Sequence, residues 1–117
     1  MKKLSILILL FLSVSCDDII EVPDISNEIV TILAPTDGVT ISATSITFNW
    51  NAVADAENYR LQIATPTFAE AQQIITDSLT TQLNLNIDLE AGAYQWRIRA
   101  ENSEYQTAFS TQSFTVQ

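Results

Sequence analysis

Apolar and polar residues alternate along most of this chain with a period of two, the mark of strands that bury one face. Ile46, Phe48 and Trp50 are separated by Thr47 and Asn49. Tyr59, Leu61 and Ile63 alternate with Arg60 and Gln62, and Leu83, Leu85 and Ile87 with Asn84 and Asn86. Tyr94, Trp96, Ile98 and Ala100 alternate with Gln95, Arg97 and Arg99, and Phe114 and Val116 close the series. Turn signals separate these runs: Pro35 and Asp37-Gly38, Ala54-Asp55, and Gly92.

Three segments depart from plain alternation. Residues Ile29 to Ala34 and Val39 to Ser42 read as one edge strand broken by APTDG. Thr67 and Glu70 have the spacing of a capping box, which predicts a helical turn over 67–73 leading into a short strand from Ile74 to Asp77. Phe68 in that turn is expected to fold back over the core. The phase of the last strand shifts between Phe109 and Phe114, which points to a bulge.

About seven short strands, each with one apolar face, predict an all-β sandwich of two sheets. The inward positions supply two tryptophans, two tyrosines and a set of aliphatics, enough core for a domain of this size without disulfides.

The N-terminus has a different pattern. MKKLSILILLFLSVSC has a basic start, an apolar run from Leu4 to Val14, and small residues before Cys16. The run is well short of the about 20 residues that cross a bilayer and has the layout of a secretory signal peptide. Val14-Ser15-Cys16 resembles the lipobox of bacterial lipoproteins, whose cysteine is acylated and becomes the mature N-terminus. That resemblance implies lipidation at Cys16; an ordinary signal peptide cut nearby would leave a free thiol instead. More than one acyl chain on that cysteine would anchor the protein stably, at about 0.8 kcal/mol per buried CH₂. DDIIEVPDISNE then reads as an acidic tether reaching at most about 35–40 Å. Asp17-Asp18 resembles the acidic surface-export signal of Bacteroidetes-type lipoproteins; a solvated acidic linker would look the same. The expected organisation is a leader over 1–15, acylated Cys16 and tether over 16–27, and a folded domain over 28–117.

Charge narrows the range of partners. Acids number 14 against 5 bases, and there is no histidine. Removal of Lys2 and Lys3 with the leader leaves three arginines against fourteen acids, a net charge of −11. Such a surface disfavours nucleic acid and anionic lipid heads. A single cysteine rules out an internal disulfide and a zinc site of cysteines and histidines. Nucleophilic catalysis lacks a histidine base, and the acids, Asp55, Glu57, Asp77, Asp88, Glu90, Glu101 and Glu104 among them, are scattered over turns and tether. Gly38 and Gly92 cannot build a phosphate loop, and there is no calcium-loop motif. The sequence therefore predicts no enzyme, cofactor or metal.

The segments TFNW ending at Trp50, YRLQI opening at Tyr59, and LEAGAYQWRIRAEN together resemble a fibronectin type III domain over about residues 28 to 116. The WRIRA form is similar to domains of Bacteroidetes-type surface proteins. The resemblance implies a tyrosine corner at Tyr94 and places the third, sixth and seventh strands in one sheet. With Tyr59, Tyr94 and Trp96 inward, Arg60, Arg97 and Arg99 then share one outer face, flanked by Gln62, Gln95, Thr111 and Ser113. Two readings of that face are open. Each arginine pairs with an acid such as Glu57 or Glu101, or the three form a cationic strip that reads carboxylates or sugar hydroxyls. Tyr105, in the NSEYQT loop, is either a loop contact or a packing residue at the sheet end. The family's Arg-Gly-Asp motif is absent.

The expected function is a cell-envelope lipoprotein, at the outer membrane or cell surface, presenting one binding module to an envelope protein or a glycan. The alternative is a structural spacer or small subunit of an outer-membrane assembly.

Overall fold

A computed structural model describes residues 21–117. The leader, Cys16 and Asp17-Asp18 lie outside the described residues. Eight strands follow one another: β1 (Ile32–Ala34), β2 (Val39–Ile41), β3 (Ser45–Trp50), β4 (Asn58–Thr65), β5 (Gln73–Thr80), β6 (Asn84–Asp88), β7 (Gly92–Glu101) and β8 (Ser110–Val116). They form a three-stranded sheet in the order β1-β3-β6 and a five-stranded sheet in the order β2-β8-β7-β4-β5. All neighbours are antiparallel except β2 and β8.

Between the sheets lie the residues that alternation marked. Phe48, Leu61, Ile63, Trp96 and Ile98 are 0% exposed, and Trp50 is 1% exposed. Phe48 meets Trp96 edge-on at 4.9 Å between centroids and Phe114 at 5.7 Å, while Tyr94 stacks on Phe114 at 5.5 Å. Such contacts add about 0.5–1.5 kcal/mol each beyond the area they bury. The Tyr94 hydroxyl donates to the Glu90 carbonyl at 2.6 Å, which closes the tyrosine corner.

The broken first strand becomes two strands in opposite sheets, which is why eight are seen. APTDG carries the chain across the open edge of the sandwich. The Trp96 indole donates to the Pro35 carbonyl at 3.2 Å, the Ser113 amide to the Asp37 carboxylate at 2.8 Å, and the Gly38 amide to the Ser113 carbonyl at 2.7 Å. Gly38 has φ +81°, where an L side chain is strained although space around it is free.

Four expectations are corrected. No helix forms over 67–73. Thr67 Oγ1 accepts from the Glu70 amide at 3.1 Å, but one such bond does not offset the cost of nucleating a helix in so short a segment, and the chain turns into β5. Leu83 lies just before the β3–β6 ladder begins at Asn84 and is 39% exposed. The β7–β8 register is continuous from Gly92↔Val116 to Ile98↔Ser110, with no bulge. The first strand is shorter than Ile29–Ala34, and Ile29 is exposed. Upstream, Ile25 is 2% exposed and belongs to the core, and the Pro23 carbonyl accepts from Asn102 Nδ2 at 2.8 Å. The packed body therefore begins before Glu28.

Candidate functional site

The outer face of the five-stranded sheet is set by register. Arg60 stands opposite Arg99 across the β4–β7 ladder, and Gln62 opposite Arg97. Across β7–β8, Gln95 faces Ser113 and Arg97 faces Thr111. Across β4–β5, Arg60 faces Leu79 and Gln62 faces Asp77. Partners directly opposite share a sheet face, so all three arginines point out of the same side.

Their surroundings differ. Arg60 Nη1 donates to Asp77 Oδ1 at 2.8 Å, and its Nε lies 3.4 Å from Glu101 Oε2. Arg99 Nε donates to the same Glu101 oxygen at 2.8 Å. Two like charges placed opposite each other are thus neutralised by two carboxylates. The Arg60–Asp77 bond raises the Arg60 guanidinium above its ordinary pKa and holds the Asp77 carboxyl below the usual carboxylate range. The pairing reading holds for these two arginines, with Asp77 and Glu101 as partners; Glu57 makes no ion pair with them.

Arg97 has no carboxylate partner among the described residues. Its Nε donates to Gln62 Oε1 at 2.8 Å. Its guanidinium carbon lies 4.0 Å from the Phe68 ring centroid and 4.3 Å from that of Phe109, which also lies 4.6 Å from Arg99. Burial against these rings, with Arg99 beside it, lowers the Arg97 pKa, though an arginine remains charged at neutral pH. Contacts of this kind contribute about 0.5–1 kcal/mol each where exposed.

Phe68 is therefore not a core residue. Its backbone amide donates to Gln95 Oε1 at 2.9 Å, which draws the 66–72 loop across the outer face. Ala64, on that face beside Gln95, is 0% exposed and marks how closely the face is covered there. Phe109 and Phe68 were missed as members of the site. A parity count could have found Phe109: stepping back by twos from Phe114 places Ser110 inside and Phe109 outside. The apparent phase shift was an aromatic ring serving the arginines.

No family model matches the chain, and no curated protein matches it. Solved structures do. The fibronectin type III domain of the human KIAA0970 protein is similar with a TM-score of 0.56 at 15% identity, over 79% of this chain and 74% of that one. FN3tt is similar at 0.54 and 15% identity, over 75% and 95%. This chain has the fibronectin type III fold. An Fn3-like protein from Clostridium thermocellum is similar at 0.50 and 15% identity, over 75% and 85%.

Within the fibronectin type III frame, two clefts lie away from the arginine face. One, of about 460 Å³, is lined by Gln73, Ile75, Asp88, Glu90 and Tyr94. The other, of about 340 Å³, lies along the sandwich edge between Leu33, Pro35, Val39, Ile41 and Ile46. Tyr105 is half-buried and packs against the core, and its amide is held by Asn102 Oδ1 at 2.8 Å. Among the described residues no group of three or more carboxylates or other metal-binding side chains converges.

Proposed function

We propose that this chain is a non-catalytic binding module of a bacterial cell envelope, lipid-anchored through Cys16 and presenting the outer face of its five-stranded sheet to a partner. One observation carries the reading: Arg97 holds a charged planar donor group, with no ion-pair partner among the described residues, in an aromatic frame on an otherwise acidic protein. The fibronectin type III fold supports a module that binds or spaces rather than one that turns over substrate. The leader pattern ending at Cys16 supports export and anchoring.

A spacer without a ligand is favoured by Arg60 and Arg99, whose charges are already spent within the chain. Co-isolation from envelope extracts separates the two. Joint Arg97→Glu and Arg99→Glu substitution, with the circular dichroism spectrum unchanged, is expected to abolish recovery of the module's partner. Recovery equal to the parent's would leave the spacer reading. The anchor is read separately: palmitate labelling is expected to vanish in Cys16→Ala, and labelling that persists would remove lipidation at this residue.

A further inference from the structure

We infer that Arg97 is the anchor of a protein-docking face, and that the partner, a protein other than a second copy of this chain, supplies a carboxylate set among apolar side chains. This rests on the reading of the chain as a binding module and specifies what it binds.

Charge comes first. The outer face holds Arg60, Arg97 and Arg99 against Asp77 and Glu101. Those two carboxylates are engaged by Arg60 and Arg99, and Arg97 is the one of the three arginines without an ion-pair partner among the described residues. A complementary partner brings one negative charge to that point. A second copy is disfavoured because each copy, with Lys2 and Lys3 removed in the leader, carries a net charge of −11.

Geometry selects the type of anion. Phe68 and Phe109 flank the guanidinium, and Gln62 occupies its Nε. The two Nη groups make no hydrogen bond among the described residues and remain for an approach along the edge. Two parallel N–H donors in a plane match the two oxygens of a carboxylate. Partial burial has already stripped water from this cation, so pairing it returns stabilisation that burial removed.

The surround selects a macromolecule, and among macromolecules a protein. Neither of the two clefts described above includes Arg97, so neither offers this guanidinium to a small ligand. The face also carries exposed apolar side chains. Ile74 is 49% and Leu79 is 53% exposed, and their pairing with Ala64 and Arg60 places both on the arginine side of the sheet. Arginine framed by aromatics, with isolated aliphatics around it, is the composition of a protein-interface hot spot. A neutral sugar would want an aromatic face to stack on, but Phe68 faces Arg97 and Phe109 is shared between Arg97 and Arg99.

Site-specific photocrosslinking tests this in cells that make the full-length chain. The photoreactive residue p-benzoylphenylalanine replaces Leu79 or Ile74, and Thr47 on the outer face of the other sheet serves as control. It attacks C–H bonds of protein and glycan alike, so either partner is seen. The expected result is one protein adduct from Leu79 and Ile74 and none from Thr47. Its yield falls at least about tenfold with Arg97→Gln. Arg97→Lys retains an intermediate yield, because it keeps the charge and loses the fork. Replacing the acid in the crosslinked partner peptide by arginine restores the adduct when combined with Arg97→Glu. An adduct indifferent to Arg97→Gln, in a variant whose melting curve matches the parent's, overturns the carboxylate anchor. A polysaccharide adduct, or one with a second copy, overturns the protein partner while leaving the binding module intact. Absence of any adduct from Leu79 and Ile74 overturns both.

Discussion

One ten-residue strand, β7, serves two unlike surroundings. Its inner face holds Tyr94, Trp96, Ile98 and Ala100, none more than 7% exposed. Its outer face holds Gln95, Arg97, Arg99 and Glu101, all half-buried. The inner residues are held by the opposite sheet through packing, which is non-directional and large in sum. The outer residues are held by individual polar and cation–π contacts, each small. Stability should therefore be concentrated on one side of the strand and recognition on the other. Substitutions on the two faces should separate folding from binding, and the comparison can be broken at several points.

The largest effect is expected from Trp96→Ala. Trp96 is 0% exposed, meets Phe48 and Trp50, and holds the APTDG crossing through Pro35. Loss of its ring leaves a cavity between the sheets and frees the crossing, at a cost of about 3–5 kcal/mol. Urea unfolding followed by tryptophan fluorescence of the remaining Trp50 measures it. A loss below about 1 kcal/mol would mean that the inner face is not where stability lies.

Next is Tyr94→Phe, which keeps the ring stacked on Phe114 and removes only the hydroxyl bond to the Glu90 carbonyl. The expected cost is about 0.5–1.5 kcal/mol with an unchanged denaturant slope. It separates the Tyr94 hydroxyl bond from the packing of the same ring. No loss of stability would show that the corner is closed by packing alone.

How much of this could be read from the sequence follows from the same division. Inner positions repeat every second residue, so Phe48, Leu61, Trp96 and Phe114 announced themselves, and with them the sandwich. The shared side of Arg60, Arg97 and Arg99 followed from that parity together with the strand order that the fibronectin type III resemblance implies. What those arginines touch did not. Phe68 reaches Arg97 from a loop about 29 residues away, and no local period encodes a contact made through a loop; for Phe109 parity gives the outward side but not the arginine it meets. The capping-box pair Thr67 and Glu70 formed its bond inside a turn, because seven residues are too few for propensity to prevail. The split of the first strand depended on Trp96 and Ser113 holding the crossing, again from far along the chain. Ile25 was read as tether because acids surround it, although one apolar side chain is enough to seat a segment on a core.

The smallest effect concerns acid. Asp77 is held below the usual carboxylate range by Arg60, so its charge contributes stability that is complete above roughly pH 4 and is lost as pH falls through the lowered value. The inner face has nothing that titrates there, since burial moves the Tyr94 hydroxyl upward, away from neutrality. Asp77→Asn should therefore be slightly less stable than the parent at pH 7. Their unfolding curves should converge as pH falls through that lowered value, where the parent's own carboxyl becomes protonated. Both partners are substantially exposed, Asp77 by 49% and Arg60 by 29%, so the gap at pH 7 should be small and should narrow in high salt. Asp24, lowered by its bonds to Ser26, adds acid sensitivity of the same sign, but it is common to both proteins and cancels in the comparison. A gap that persists undiminished in acid would show that Asp77 acts through its shape or its neighbours rather than its charge. The outer face would then be held together, like the inner one, by packing.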